Sequence, residues 1–211
     1  IFNQTCFYGE AGGQVGDIGK IIGENGEGDI TDTKRIGSIF IHSVTIIKGV
    51  IKVGEKIEQT VDEMFRQRVR RNHSATHLIH ESLRELLGSH VSQKGSLNSS
   101  ERLRFDFSHD LPVTTEQIFL IEQVANRHIR LNSAVVTETM PLEEAKKTGA
   151  RALFGEKYSE DVRVVKIGLV GEEYFSVELC GGLHVKSAGE IGLVKILGDT
   201  ASSSGVRRIE A

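Results

Sequence analysis

Cysteine is scarce in this chain, with only Cys6 and Cys180, so no disulfide framework holds the fold and a cytosolic origin is expected. The same scarcity leaves Cys180 free to serve as a ligand. No apolar stretch approaches the roughly 20 residues that span a bilayer, and no membrane partner is expected. An excess of basic charge is also missing. The 26 Lys and Arg stand against 29 Asp and Glu, for a formal net charge of -3, so any nucleic-acid contact must come from a local patch. The opening IFNQTCFYGE carries neither a basic leader nor an initiating Met, and the chain reads as a piece of something longer. It has no internal repeat and no low-complexity tract, and its 211 residues suffice for one large domain or two small ones.

The first 61 residues hold glycine-punctuated extended pieces: Lys20 to Ile22, Ser38 to Ile47, and Val50 to Thr60. They predict a small β-barrel-like subdomain over 1–61, followed by an α+β domain over 62–211. From Val61 the pattern changes. Phe65, Val69, His73, Thr76, His80, Leu83 and Leu87 recur at steps of three and four until Gly88, which predicts one long helix. Leu103 to Ser108 alternates as a strand, and Thr114-x-x-Gln117 has the form of a capping box opening a second helix. Ala134 to Met140 reads as a strand, Pro141 as a helix first turn, and Gly149 as its stop. Val162 to Ile167, Tyr174 to Leu179, Ile191 to Leu197 and Val206 to Ile209 read as further strands of a mainly antiparallel sheet with helices packed on it.

Two residue pairs carry chemistry. His73-x-x-x-His77 places two imidazoles on one helix face, and Cys180-Gly-Gly-Leu-His184 places a thiol and an imidazole in a loop that two glycines allow to bend sharply. A His-x-x-x-His pair alone is weak, because paired histidines on helices often serve polar networks. With the Cys/His pair it completes the ligand set that Zn2+ prefers. The bland alternative makes Cys180 a small core residue and the histidines surface polar groups. The segment His73-Ser74-Ala75-Thr76-His77 lacks the Glu that zinc proteases place after the first histidine, which argues against a protease.

Around these pairs, Thr76 can offer a hydroxyl or pack in the core, and Gln93 can offer a carboxamide to a substrate or belong to a turn. The run Gly12-Gly13-Gln14-Val15-Gly16-Asp17 lets backbone approach a ligand or makes a β-turn; opening no helix, it is no dinucleotide fingerprint. Arg66, Arg68, Arg70 and Arg71 form one basic group and Arg207 with Arg208 another, either as ion pairs or, if they border the metal pocket, as phosphate contacts. His42, His80, His90, His109 and His128 lack a partner at ligand spacing and read as structural.

The segments FYGEAGGQVGDIG, RNHSATHLIHESLRELLGSHVSQKGSLNSSERLRFDFSH, ALFGEKYSEDVRVV, ELCGGLHV and GVRRIEA, in this order, closely resemble the editing domain of bacterial alanyl-tRNA synthetases. Free-standing AlaX-type deacylases share the zinc pairs. The resemblance implies a cytoplasmic hydrolase that clears tRNA(Ala) mischarged with Ser or Gly, as part of a larger synthetase chain whose ATP-using aminoacylation domain lies elsewhere. It implies zinc ligands at His73, His77, Cys180 and His184, a pocket lined by Thr76 and Gln93, which would act in catalysis, and a glycine motif at Gly12 and Gly13. Arg207 in the closing segment would contact the substrate. One departure stands out: the family usually has Thr where this chain has Leu183, and loss of a supporting hydroxyl would lower metal affinity by about ten- to a hundredfold. Two readings compete with hydrolysis in the parent chain: a non-catalytic zinc-stapled tRNA-binding module, and a free-standing AlaX-type deacylase.

Overall fold

The computed structural model describes residues 1–152 and 158–211, so the centre of the ALFGEKY segment lies outside the described residues. The chain begins with four strands, β1 (Gly19–Ile22), β2 (Gly26–Ile36), β3 (Ile39–Gly49) and β4 (Glu58–Val61), in the order β3-β2-β1-β4. All neighbours in this sheet are antiparallel. Instead of the expected barrel-like unit, the sheet is open. The longest pairing, β2 with β3, was only half visible in the sequence, because GEGDITDTKRI is poor in the β-branched and aromatic signal that marks β3. Its inner face nevertheless buries Ile30 beside Ile21 and Phe7, which form a small core of their own.

Helix α1 (Glu63–Leu87) follows at once, with the Asp62 side chain accepting from the Phe65 amide at 2.9 Å as its N-cap and Gly88 at its end. Residues 73–80 are buried all round the helix. One side, with Ala75, Leu78, Ile79 and Leu83, packs into the main core; the other carries His73, Ser74, Thr76 and His77, whose polar atoms must therefore find partners inside the protein. Strands β5 (Gln93–Asn98) and β6 (Leu103–Ser108) come next, then α2 (Thr115–Leu131), whose Thr114/Gln117 capping box is fully formed. After them come β7 (Val136–Pro141), α3 (Leu142–Lys147), β8 (Asp161–Val170), β9 (Glu173–Leu179), a 3-10 turn at Ala188–Ile191, β10 (Gly198–Ser203) and β11 (Val206–Glu210).

The later strands make two antiparallel sheets, β10-β11-β6-β5 and β7-β8-β9. Phe105 and Phe107 of β6, the strand packed against α1, are fully buried in the main core, each side chain of this size contributing about 2–3 kcal/mol. The segment Ile191 to Leu197 is not a strand, although it alternates like one. Its backbone is held by α2 side chains: Asn126 exchanges two hydrogen bonds with Val194 at 2.8 and 2.9 Å, and Glu122 Oε1 accepts from the Ile196 amide at 2.6 Å. Alternation reports a buried extended chain; only a neighbouring strand makes it a sheet member. Among the described residues no helix is long and apolar enough to cross a membrane.

Candidate metal centre

Three pieces of chain converge on one cavity of about 170 Å³. Helix α1 supplies His73, Thr76 and His77; the loop leaving β9 supplies Cys180, while His184 of the same loop joins the donor group without lining the cavity; β5 closes the wall with Gln93 and Asn98. One donor atom from each of His73, His77, Cys180 and His184 lies within 4.8 Å of the others, so the four can hold a metal ion. Cys180 Sγ stands 3.4 Å from His73 Nε2 and 3.3 Å from His184 Nε2.

What aims these rings is a set of partners on their other nitrogens. His73 Nδ1 is 2.8 Å from Gln14 Oε1, His184 Nδ1 is 3.1 Å from Ser74 Oγ, and His77 Nδ1 is 3.3 Å from Glu178 Oε2. The first two contacts hold Nδ1 outward and leave Nε2 to the shared centre, the arrangement by which outer partners fix tautomer and ring direction; at His77 the Glu178 carboxylate lies at ion-pair distance, but Nδ1 makes no hydrogen bond. Burial pushes the His73 imidazole down to about 4, with Arg163 adding to the shift and Glu178 opposing it. Burial and the charges of His73, His77 and Arg163 hold His184 well below its usual value too. Both rings are thus neutral at physiological pH, with a lone pair to give. For Glu178, burial favours the protonated form, but His77, His80 and Arg151 outweigh it and hold the carboxyl at about 2. His80 serves this carboxylate, with Nδ1 at 2.9 Å from Oε1, and is in that sense structural.

The ligand loop is held through its backbone. The Leu183 amide donates to Gln14 Oε1 at 2.7 Å, the Gly182 amide lies 3.4 Å from Cys180 Sγ, and Arg163 donates to the carbonyls of Cys180 and Gly182. These contacts do not involve the side chain at position 183. Gly182 packs flat against the His73 ring, where any Cβ would overlap Cε1 and Nδ1; a Cβ on Gly181 would meet nothing within 4 Å.

Gly12 and Gly13 both have positive φ, +58° and +80°, and Ala11 and Gln14 exchange backbone hydrogen bonds across them. The pair is thus a tight reverse turn of the type glycine favours. Gly12 lines the cavity, while Gly13 is pressed against Ser96. The turn's consequence is Gln14, which it delivers fully buried to His73 and Leu183. Thr76 and Gln93 both line the cavity, Gln93 Nε2 donating to Ser96 Oγ at 3.1 Å. Arg207 does not line it; its guanidinium is paired with Asp199. Arg66 is paired with Asp17, Arg70 with Glu63 and Arg208 with Asp106, and none of these lines the cavity either. The arginine on its wall is Arg35 of β2.

The four candidate donors read from the sequence are thus brought together, whereas sequence reading missed the residues around them: Gln14 and Ser74 on the rings, Glu178 beside His77, and Arg163 on the loop carbonyls. A faint signal existed for Glu178. It stands two residues before Cys180 in an otherwise strand-like segment, where a charged residue on a buried strand needs a reason.

Comparison with known proteins gives two kinds of match. Residues 162–210 match the family described as "Threonyl and Alanyl tRNA synthetase second additional domain", and residues 1–65 match the family "tRNA synthetases class II (A)". The His73/His77 pair lies between the two matches, and Cys180 and His184 lie inside the first. Along its whole length the chain is 54% identical to an alanine–tRNA ligase from Ruegeria sp. (strain TM1040), 52% to one from Rhizobium meliloti (strain 1021) and 52% to one from Pseudoalteromonas translucida (strain TAC 125). It spans about a quarter of the length of these curated relatives, 25%, 24% and 24% respectively.

Proposed function

The chain belongs to the alanyl-tRNA synthetase family, and from that premise we propose that it is an editing unit, which hydrolyses the ester of tRNA(Ala) mischarged with serine or glycine. The observation that carries the reading is the four-residue His/Cys group, with the His73 and His184 rings aimed by Gln14 and Ser74 and Glu178 at ion-pair distance from His77, beside a small polar cavity. The chemical need is plain. A synthetic pocket for alanine cannot shut out glycine, which is smaller, nor strongly reject serine, which adds only a hydroxyl.

Cysteine sulfur and histidine nitrogen are the donors zinc prefers, and the sulfur-to-nitrogen spacings of 3.4 and 3.3 Å are close to the ~3.5 Å edge of a tetrahedron with bonds of about 2.3 and 2.0 Å. A zinc ion bound there would supply Lewis acidity at the ester or its attacking water. The protein's own part is positioning. Thr76 and Gln93 meet the aminoacyl group on one wall, and Gly12 bounds it on another. In the ligand loop the amides of Gly182 and Leu183 are engaged by Cys180 and Gln14, and Gly181, which lines the cavity, is the candidate to donate its N–H to the oxyanion that forms as the ester is attacked. Arg35 on the cavity wall is a better candidate for a phosphate contact than Arg207, which is committed to Asp199. The partners on this reading are tRNA(Ala) and the remainder of the synthetase chain, in the cytoplasm.

The test is deacylation by the purified chain. It should release serine from Ser-tRNA(Ala) and spare Ala-tRNA(Ala), and Cys180→Ala should abolish release while circular dichroism shows the fold intact. Equal binding of both tRNAs without hydrolysis would favour a zinc-stapled binding module. Untouched Ser-tRNA(Ala) in the presence of added zinc would refute the editing reading for this chain.

A further inference from the structure

Asn98 is fully buried in the cavity wall, and its backbone is locked to the glycine turn by the Asn98 N–H donating to Gly13 O at 2.7 Å and the Val15 N–H donating to Asn98 O at 3.1 Å. Its carboxamide reaches Thr76. Thr76 Oγ1 lies 2.6 Å from Asn98 Oδ1 and 2.9 Å from the carbonyl of Asn72, two acceptors for a hydroxyl that carries one proton. Turning the carboxamide end for end lets Nδ2 donate to Thr76 while the Thr76 proton goes to Asn72, and it gives a partner to Nδ2, which otherwise has none. The two arrangements share one consequence. In each, the only proton of Thr76 is spent inside the protein, and toward the cavity its oxygen offers lone pairs alone.

We propose that Asn98 determines the selectivity of this cavity for a hydroxyl-bearing aminoacyl group by holding Thr76 Oγ1 as a hydrogen-bond acceptor toward the substrate. The inference rests on the editing reading above and names the residue that sets the second sieve. A seryl hydroxyl donates to the held oxygen, whereas an alanyl methyl leaves a desolvated acceptor unpaired, the asymmetry from which strong discrimination comes. Asn72 alone is a weaker restraint, because its carbonyl already accepts the Thr76 amide within the helix. Without Asn98 the hydroxyl turns, and the preference for a donor is lost. Asn98 is in this sense a positioning residue acting through Thr76.

The experiment compares kcat/KM for Ser-tRNA(Ala) and Gly-tRNA(Ala) in the unmodified chain, Asn98→Leu and Asn98→Ala. Glycine has no hydroxyl, so its rate reports folding and metal content while the serine rate reports the held acceptor. The expected result is a fall of about tenfold in the Ser/Gly ratio in both variants, the serine rate falling by much more than the glycine rate. Serine and glycine rates that fall together, or a ratio that stays put in either folded variant, overturn the proposal. An unmodified chain that hydrolyses neither substrate refutes the editing reading itself, a separate outcome.

Discussion

Replacing Gln14 with leucine removes one oxygen that serves two donors. Gln14 Oε1 receives the Leu183 amide at 2.7 Å and faces His73 Nδ1 at 2.8 Å, in a site with no solvent access. Leaving a buried donor unpaired costs about 1–3 kcal/mol each. Against this, Gln14 Nε2 is itself buried without a partner, so its removal returns roughly 1 kcal/mol. The net expectation for Gln14→Leu is a loss of about 3 kcal/mol in the metal-free protein, or roughly 6–12 °C in melting temperature for a chain of this size. The same oxygen orients a metal donor and the ligand loop together, so zinc affinity should fall by about ten- to a hundredfold. Melting of the chelator-treated protein measures the first effect, and competition with a chromophoric chelator measures the second. Gln14→Glu, which keeps an acceptor oxygen at that place, should recover part of both. A Gln14→Leu protein that melts within about 2 °C of the unmodified chain and binds zinc within about twofold would refute the assignment of Gln14 as the support of this centre.

Two further outcomes follow from the geometry. Gly182→Ala should disrupt metal binding by pushing the His73 ring aside, whereas Gly181→Ala, one residue away with open space around it, should leave zinc stoichiometry unchanged; metal analysis of the two purified variants decides it. The third concerns pH. Burial lowers the pKa of His128, whose ring stacks on Phe175 at 3.7 Å between centroids. The unfolded chain takes up that proton near the ordinary value of 6.5 and the native chain only at lower pH, so stability is full above 6.5 and declines as pH falls from there toward the native pKa. His128→Phe keeps the stack without the proton and should flatten the dependence between about pH 7.5 and 5.5 in urea titrations; an unchanged slope would count against it.

How much was legible in advance depended on whether the signal was local. The heptad-like spacing of Val69, His73, Thr76 and Leu83, the Asp62 and Thr114 caps, and the alternation in β6 are written within one element, and each element formed where its residues said it would. β2 was missed because its polar, glycine-bearing sequence becomes a strand only through the hairpin with β3. The expected strand over Ile191 to Leu197 was misread for the complementary reason: its alternation is genuine, but Asn126 and Glu122 take the place of a neighbouring strand. Alternating burial is a property of the segment; sheet membership is a property of what lies beside it.

For the centre itself, the sequence determined which side chains are the candidate donors. Two pairs at four-residue spacing, one on a helix and one in a glycine loop, name His73, His77, Cys180 and His184 without reference to anything distant. Which nitrogen each ring presents, whether Thr76 offers a proton or a lone pair, and whether a given arginine faces the cavity or an acid were decided only by the tertiary structure. Those properties depend on contacts across the chain, from Gln14 to His73, from Asn98 to Thr76 and from Asp199 to Arg207. A hydrogen bond is set by direction and distance in space, and spacing along the chain specifies neither once the partners belong to different elements.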